Sequence, residues 1–484
     1  MTITRRRALR SSGLLALGAA VWPQWMPRLV FGRADQAPAG DTLVVVFARG
    51  GYDGLNMIIP YGNEGYYFAR RPTIGIPAPD DRRAARRGVD LDGFFGMHPT
   101  LVDRGWKELF DGGNFAVVHA MHMDDTTRSH FDAMDYMERG TPGKKSVQTG
   151  WLGRHLQTMA HRNESPFRAV GMGTMVQPSL RGPVPAVALQ SIADFHLQGR
   201  QSEVLRFQQH LEQLYAGDGW LDREGQSTFA AVAMLAERIG NQPYVPANGA
   251  DYGPAGAFGQ GLQQIARLIK ADMGLEVACV DIGGWDTHAN QADAADPTAG
   301  TMANLMSALA GGITAFVKDL WPSFDPTDRT ARGVTLMVMS EFGRRAHENG
   351  GVGTDHGHGN TMFLFGKGIV GGQVYVRPWP GLADDELDRG DLAGTTEYRD
   401  VLGEILERRV GNPAVPQVFP GWQLDYLGLA RPLAAPPPAP TVQPTAGPTE
   451  APTAEPTGMP TGVPSEPPPG RRGLYLPWTR RGGV

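Results

Sequence analysis

The chain alternates short apolar runs with longer amphipathic segments. The main apolar runs occupy residues 42–47, 115–118, 275–281, 334–339 and 361–365. Because these runs are short, rich in β-branched side chains and bounded by glycine or polar residues, they predict buried strands. The amphipathic segments predict helices over residues 98–110, 129–140, 202–215, 228–239, 258–273, 303–320 and 397–409.

Strands separated by helices predict an α/β fold with a doubly wound, mostly parallel sheet that is covered by helices on both faces. Residues 202–271 are mostly helical, and we interpret them as a helical insertion in a domain that spans residues 40–430. In folds of this class, ligands bind where the carboxyl ends of the strands meet. The loops that follow the predicted strands are therefore the first place to look for a functional site.

Residues 1–39 have the composition of an export signal. Arg5, Arg6 and Arg7 precede a weakly hydrophobic, glycine-containing segment that is too short to span a bilayer. The pattern resembles a twin-arginine signal and predicts export to the periplasm, the cell surface or the medium, with the twin-arginine machinery as a partner. Cleavage after Ala20 or as late as Ala39 fits the pattern. A basic amphipathic start without a targeting role is the alternative interpretation.

Residues 431–470 form a Pro/Thr-rich segment. Between residues 432 and 469, 14 of 38 residues are proline. Such a sequence cannot bury a core, so it predicts an extended and solvated linker. The final segment, residues 471–484, is short, aromatic and basic, and we expect either a docking segment for a cell-surface component or a frayed tail.

Composition narrows the class of protein. With 484 residues, of which 41% are hydrophobic and 20% charged, the chain can bury a sizeable core as a soluble protein, and no transmembrane anchor is expected. The formal net charge of -5 argues against a nucleic-acid partner, because duplex binding depends on an excess of Lys and Arg. Cys279 is the single cysteine, so we expect no disulfide within the chain and no Cys-based metal site.

The most specific chemical signal is the segment from Asp355 to His358. It places Asp355, His356 and His358 within four residues, with glycines on both sides. Neutral imidazole and carboxylate are the usual protein ligands of zinc and manganese, so the three side chains are candidate metal ligands. A solvated polar loop is the alternative.

Two further candidates follow predicted strands. Asp286 and His288 come after the strand at 275–281, and residues two apart on an extended segment point the same way, so both side chains can reach one ion. Glu341 directly follows the strand at 334–339. A structural role is the alternative for the Asp-His pair, and an ion pair with a neighbouring arginine is the alternative for Glu341.

Asp53 and Ser129 complete the predicted site. Asp53 follows the first strand as a candidate ligand, although Asp-Gly is also a common turn pair. Ser129 begins a predicted helix and, with Asp132 three residues later, matches a capping box. The family resemblance described below implies that Ser129 is also a nucleophile, since backbone N–H groups at a helix start favour an alkoxide and an incoming phosphate or sulfate, and the two roles are compatible. A nearby cluster of histidines consists of His119, His122 and His130. We interpret most of these three residues as supporting or surface residues.

Taken together, the motifs resemble the signature series of the domain of unknown function 1501 family, whose members are exported bacterial proteins. The resemblance covers about residues 41–430. It rests on segments that include Arg49-Gly-Gly-Tyr-Asp53, Ser129-His-Phe-Asp132, Gly284-Trp-Asp-Thr-His288, Ser340-Glu-Phe-Gly-Arg344 and Gly353-Thr-Asp-His-Gly-His358.

That family looks like a branch of the alkaline phosphatase and sulfatase superfamily, and this likeness implies a doubly wound α/β fold with a two-metal site. On this basis Asp53 matches an acidic ligand, Ser129 the nucleophile, and Asp286 with His288 an Asp-to-His ligand pair. The main departure is Phe342, which stands where the superfamily has a histidine ligand. The resemblance therefore implies a second metal site that has lost a ligand or recruited another, such as His358.

Three functions are compatible with the sequence. The resemblance implies a metal-dependent hydrolase of a small anionic phosphate or sulfate ester, with one or two divalent ions such as zinc or manganese. The alternative is a catalytically degenerate, metal-binding surface protein on the same fold, which Phe342 and the Pro/Thr-rich tail favour. A phosphomutase-like or transferase activity is the third possibility, and export disfavours it because export removes the protein from cytoplasmic sugar phosphates.

Overall fold

The structure is a computed structural model that describes residues 40–159, 165–192, 201–240 and 242–433. The signal-like region 1–39 and nearly all of the Pro/Thr-rich tail, with the segment 471–484, lie outside the described residues. Within the described ranges, no helix is long and apolar enough to cross a membrane.

The described residues contain twelve strands: β1 Thr42–Ala48, β2 Ile58–Ile59, β3 Val89–Asp90, β4 Gly96–Met97, β5 Phe115–His122, β6 Ala169–Met172, β7 Val187–Leu189, β8 Val277–Ile282, β9 Val334–Met339, β10 Asn360–Phe365, β11 Val374–Tyr375 and β12 Thr396–Glu397. The α-helices are α1 Gly54–Met57, α2 Glu64–Arg70, α3 Pro99–Asp103, α4 Trp106–Asp111, α5 His130–Arg139, α6 Trp151–Thr158, α7 Gln201–Leu214, α8 Trp220–Arg238, α9 Gly256–Lys270, α10 Thr301–Asp319, α11 Trp321–Phe324, α12 Tyr398–Ile405 and α13 Val415–Val418. Short 3-10 turns lie at Tyr61–Asn63, Pro178–Leu180 and Gly253–Ala255, and a π-helical turn at Leu406–Val410 follows α12.

Nine of these strands form one mixed, mostly parallel sheet, which confirms the predicted α/β fold. Its order is β11-β5-β10-β9-β1-β8-β6-β7, and β12 pairs with β5 as well. The strand β10 runs antiparallel to its neighbours β5 and β9, whereas the other pairs in the sheet are parallel. The strands β2, β4 and β3 form a separate small antiparallel sheet.

Strand β1 lies at the centre of the large sheet, and all seven of its residues are buried. Val44 and Val46 join the apolar core on one face, where α9 and α10 pack, and Val45 and Phe47 join the core on the other face, which includes residues of α5, α6 and α12. A strand that is covered on both faces needs apolar residues at every position, which explains the uninterrupted apolar run.

The predicted elements agree well with the observed ones at the centre of the sheet and less well at its periphery. The predicted strand 334–339 has the observed bounds, and the strand predicted at 361–365 begins one residue earlier. The helix predicted over 98–110 is broken at Gly105, which adopts a left-handed conformation with φ 89°. The short strands β6 and β7 were not predicted, because neither is long enough to show a clear pattern.

The direction of β10 decides where the predicted ligands meet. The carboxyl ends of β1, β5, β8 and β9 lie at one edge of the sheet, because these strands run parallel to one another. Since β10 runs the opposite way, its amino end lies at that same edge. The loop 353–359, which precedes β10, therefore lies beside the loops that follow β8 and β9, whereas a parallel β10 would have placed it at the opposite edge.

Candidate metal centre

Four side chains from three loops converge at this edge of the sheet. The Oδ1 atom of Asp286, after β8, lies 3.1 Å from Nε2 of His356 and 3.3 Å from Nε2 of His130. Nε2 of His288 lies 3.0 Å from the same oxygen and 2.9 Å from Nε2 of His356. Among the described residues, His130, Asp286 and His356 form a group whose donor atoms are close enough to hold a metal ion.

Each of the three histidines is oriented by a hydrogen bond from its other ring nitrogen. The Nδ1 atoms lie 2.7 Å from Oε1 of Glu341 for His130, 3.0 Å from Oδ1 of Asp355 for His288, and 2.8 Å from the carbonyl of Arg128 for His356. A neutral histidine that donates from Nδ1 presents a lone pair at Nε2, which is the usual arrangement of a metal-binding histidine. The three lone pairs therefore converge on one carboxylate oxygen.

Four of the separations among these atoms suit a metal ion. In a tetrahedral zinc site with bonds of about 2.0–2.1 Å, neighbouring ligand atoms lie about 3.3 Å apart. The separations from Oδ1 of Asp286 to the three Nε2 atoms, and from Nε2 of His288 to Nε2 of His356, are 2.9–3.3 Å and therefore close to that value. The contact between Nε2 of His288 and Nε2 of His356 brings two lone pairs together, and such a contact is repulsive unless a proton or a metal ion lies between them.

The charges around the group also favour a divalent cation. Three carboxylates, those of Asp286, Glu341 and Asp355, belong to the group or contact its histidines. One guanidinium, that of Arg344, contacts the group directly, and the charge of Arg345 acts on Asp355 from farther away. Partial burial on its own would raise the pKa of Asp286, but the Arg344 guanidinium, which donates to this carboxylate, outweighs burial, and the pKa is lowered to about 2. Burial lowers the pKa of His356, which keeps its imidazole neutral and able to bind an ion.

Arg344 connects the loop that follows β1 to two of the loops that build the centre. Its side chain is fully buried, and it donates to the carbonyls of Gly51, Thr354 and Trp285 at 2.5, 3.0 and 3.0 Å. It also donates to Oδ1 of Asp286 at 2.8 Å. A guanidinium has five N–H donors in a fixed plane, so one residue can fix the relative positions of several loops. The ion pair of Arg344 is thus with Asp286 rather than with Glu341.

Glu341 supports a ligand rather than joining the group itself. Its buried carboxylate accepts hydrogen bonds from Nδ1 of His130 at 2.7 Å, from the Gly50 N–H at 2.8 Å and from the Ser340 hydroxyl at 3.1 Å. The hydrogen bond to Glu341 raises the pKa of His130. The carboxylate therefore fixes the ring of His130 and increases its basicity, which strengthens its bond to a metal ion.

Phe342 forms the apolar wall of the site. Its ring centre lies 4.8 Å from that of His130 and 5.0 Å from that of His356. The ring packs so closely on Gly51 that a Cβ atom there would lie 2.7 Å from it. The residue that was expected to mark a lost ligand therefore contacts two of the histidines that converge.

Asp53 has a different environment from the one that the resemblance implies. The structure pairs its buried carboxylate with Nη1 of Arg71 at 2.5 Å, and Nε2 of Gln291 donates to the same oxygen at 2.6 Å. Arg71 also donates to Oδ1 of Asn56 at 2.6 Å. Asp53 is thus neutralised by an arginine and is not part of the group that surrounds Asp286.

His130 is the residue that sequence reasoning missed. Ser129 is the N-cap of α5, as the capping box predicts, and its hydroxyl accepts from the Asp132 N–H at 3.4 Å. His130 is the first residue of α5, after the carboxyl end of β5, and its ring points to Asp286. The signal that could have identified it is its position: β5 is a predicted strand, and His130 begins the helix that follows it.

His358 lies apart from the group that contains His356. Its ring centre is 5.3 Å from that of His122, in a small pocket that Glu341 and Phe342 also line. Burial lowers the pKa of His358 to about 4. Of the eight predicted site residues, the structure therefore brings together Asp286, His288 and His356, with Glu341 and Asp355 as their supports. It places Asp53, His358 and the cap Ser129 outside that set.

The comparison with protein families agrees with the resemblance. A family model described as "Protein of unknown function (DUF1501)" matches residues 116–398, which is more than half of the chain. The chain belongs to the DUF1501 family. Neither the comparison with curated proteins nor that with solved structures found a match.

The region that matches the DUF1501 model contains all the residues of the candidate metal centre, since it begins before His130 and ends after His356. Asp53 lies outside the matched region. The family is therefore identified by the part of the chain that builds the centre, although its description assigns no function.

Proposed function

We propose that this DUF1501 protein is a metal-dependent hydrolase of phosphate or sulfate esters that uses one divalent ion. The observation that carries the proposal is the convergence of the Nε2 atoms of His130, His288 and His356 on Oδ1 of Asp286, each ring being oriented through Nδ1. A donor set of nitrogens with one carboxylate oxygen suits zinc, and manganese is the second choice. The relation to the alkaline phosphatase and sulfatase superfamily is part of this proposal.

We propose a single ion because the residues predicted to form a second metal site, Asp53 and Phe342, are not available to bind one. The negative charge of Asp53 is balanced by Arg71, with both side chains buried. Phe342 contributes no donor atom and instead packs against His130 and His356. Neither residue leaves an unbalanced carboxylate or a free imidazole for a second ion.

The centre is accessible to a small anionic ester. The side chain of Asp286 is 46% exposed, and that of His288 is 44% exposed. When bound, a divalent ion polarises an ester oxygen and lowers the pKa of a water molecule or hydroxyl, so that a nucleophile forms at neutral pH. Ser129 is proposed as the nucleophile, since it precedes His130 and lies at the N-terminus of α5, where backbone N–H groups favour an anion.

A closed binding site is the second candidate, and the position of His288 favours it. Structural zinc sites have four protein ligands, whereas catalytic sites have three and leave one position for water or substrate. With His288 as a fourth ligand, the site would be a metal-binding site without catalysis. The two candidates therefore differ in what happens when His288 is removed.

The test begins with protein that has been stripped by a chelator and reloaded with zinc or manganese. We expect one ion per chain and turnover of 4-nitrophenyl phosphate or 4-nitrophenyl sulfate, with activity lost in His356→Ala and strongly reduced in Ser129→Ala. Ser146→Ala, at an exposed serine, is the matched control. A loaded protein that hydrolyses neither ester would refute the hydrolase proposal. If zinc affinity then falls as much in His288→Ala as in His356→Ala, the closed binding site is the better account.

We also propose export by the twin-arginine route, with docking of the C-terminal segment to a cell-surface component. The support is the sequence: three consecutive arginines before a weakly hydrophobic segment, and a proline-rich linker before an aromatic and basic end. Replacing Arg6 and Arg7 together by Lys should retain the protein in the cytoplasm, and deleting residues 471–484 should release it from the cell surface. Unchanged fractionation would refute the corresponding part.

A further inference from the structure

A cavity of about 520 Å³ lies at the edge of the large sheet opposite to the metal centre. It is lined by Thr42 at the start of β1 and Val334 at the start of β9. The metal centre lies beyond the other ends of these parallel strands. Since β1 has seven residues, the two sites are separated by about 20 Å along the strand.

The size and the lining of this cavity are those of a small-molecule site. Binding pockets for small molecules have volumes of about 300–1,000 Å³, mostly apolar walls and a few polar groups that fix orientation. Here the accessible apolar lining includes Ile269 and Pro322, whereas the apolar lining residues Leu275, Leu320 and Val334 are at most 4% exposed. Charged groups lie among them, so the cavity offers both an apolar volume and polar anchors.

Arg332 supplies a positive charge that no carboxylate balances directly. Its Nε donates to the carbonyl of Gly40 at 2.9 Å, and its Nη1 donates to the carbonyl of Leu275 at 3.0 Å. Within the described part of the chain, no carboxylate lies within ion-pair distance of it. Three carboxylates lie near enough for their charge to act on Arg332, and two of them have other partners, since Asp41 pairs with Arg409 and Glu276 pairs with Arg168. The third, Asp272, also lines the cavity.

The other charged groups of the cavity limit the charge of the ligand. Lys270 is paired with the buried carboxylate of Asp319, so this pair contributes no net charge. Asp272 is exposed and also lines the cavity, so it repels a ligand with several negative charges. Because Asp272 repels added negative charge, a ligand with one carboxylate placed at Arg332 is favoured over a ligand with several negative charges.

We propose that this cavity binds an amphipathic monoanion, an alkyl or aryl carboxylate whose apolar body contacts Ile269 and Pro322 and whose carboxylate accepts hydrogen bonds from Arg332. The remaining N–H groups of Arg332 suit a carboxylate, because a planar guanidinium can donate two parallel hydrogen bonds to it. The site is independent of the metal centre, so it does not rest on the proposed function.

The experiment is calorimetric titration of the full chain with octanoate, 1-octanol and octylamine. We expect octanoate to bind with one site per chain, and 1-octanol to bind about tenfold to a hundredfold more weakly, because a hydrogen bond to a charged group is lost. Octylamine should bind no better than 1-octanol. Chelator-treated protein and His356→Ala should bind octanoate with unchanged affinity, which separates this site from the metal centre.

Variants test the role of Arg332 directly. Arg332→Met should weaken octanoate by about tenfold to a hundredfold while leaving 1-octanol unchanged. Arg332→Lys should recover part of the affinity, and Arg329→Met, at an exposed arginine nearby, is the matched control. If Arg332→Met does not fold, Ser323→Trp fills the cavity from its lining and should abolish octanoate binding. Equal binding of octanoate and 1-octanol, or octanoate binding that survives in Ser323→Trp, would overturn the proposal.

Discussion

Asp53 and Asp286 follow neighbouring strands of one sheet, and both match a motif that predicts a metal ligand, yet they lie in opposite kinds of surroundings. The carboxylate of Asp53 is buried and paired with Arg71, within an interior polar cluster that consists of Asp53, Asn56, Tyr67, Arg71 and Gln291. The carboxylate of Asp286 is nearly half exposed and faces three imidazole nitrogens.

The difference shows that the counter-charge decides the role of a carboxylate at a strand end. A buried arginine removes the need for a cation at Asp53. Asp286 also has an arginine partner, but Glu341 and Asp355 add two further negative charges beside it. The loop after β1 thus carries a structural ion pair at Asp53, and the loop after β8 carries the candidate metal ligand Asp286.

The largest expected effect comes from breaking the ion pair of the interior cluster. Arg71→Met leaves the buried carboxylate of Asp53 without a positive partner, and removing one member of a buried pair costs about 3–5 kcal/mol of the free energy of unfolding. Urea unfolding measures this loss. Arg83→Met, which removes an exposed arginine of an Asp-Arg pair, is the control. A stable Arg71→Met protein that binds a second ion would instead identify Asp53 as a ligand.

The next largest effect is expected on zinc affinity at the candidate metal centre. His130→Ala and His356→Ala each remove a ligand of the proposed ion, and we expect zinc affinity to fall by more than the roughly 10–100-fold that is typical of losing a supporting residue. Competition with a chromogenic chelator measures the affinity. His122→Ala and His358→Ala are matched controls, because these rings face each other away from Asp286. An equal loss in His358→Ala would show that the ligand set is different.

The sequence could predict the strands that carry this site, because β1, β8 and β9 are buried on both faces and read as apolar runs. It could also predict that Asp286, His288 and His356 lie in loops and are candidate metal ligands. It could not predict that β10 reverses direction, since a pattern of buried residues is the same for either direction.

Long-range pairing is the other part that a local pattern does not contain. Arg71 reaches Asp53 only because the segment that follows α2 packs beneath the loop after β1. His130 resembled a surface residue because helix starts often carry polar residues, and its role depends on the approach of Glu341 from β9. In both cases the partner comes from another element.

Substitutions of Glu341 and Asp355, which support the ligands, should lower zinc affinity less than substitutions of the ligands themselves, and the two effects should differ in size. Glu341→Gln removes the buried charge that orients His130, and we expect zinc affinity to fall by about 10–100-fold. Asp355→Asn should have a smaller effect, because the side chain of Asp355 is 54% exposed and water can replace its hydrogen bond to His288. The same competition assay measures both. A larger loss in Asp355→Asn would mean that Asp355 binds the ion itself.

The smallest expected effect is on the pH dependence of stability, and it comes from the buried residue His119. Desolvation by burial lowers the pKa of His119 to about 4. Its ring is neutral in the folded state, with Nε2 donating to the Ile58 carbonyl at 3.0 Å and Nδ1 accepting from the Ala120 N–H at 2.8 Å. Unfolded chains bind a proton at this residue below a pKa of about 6.5, so stability is fully present above that pH and decreases as the pH falls towards 4.

His119→Gln should therefore reduce the slope of unfolding free energy against pH by about 1.4 kcal/mol per pH unit between about pH 6 and pH 4.5. Urea unfolding at several pH values gives the slope, which remains informative even if the variant is less stable at every pH. His210→Gln, at an exposed helix position, is the control. A slope that does not change in His119→Gln would mean that His119 becomes protonated in the folded protein.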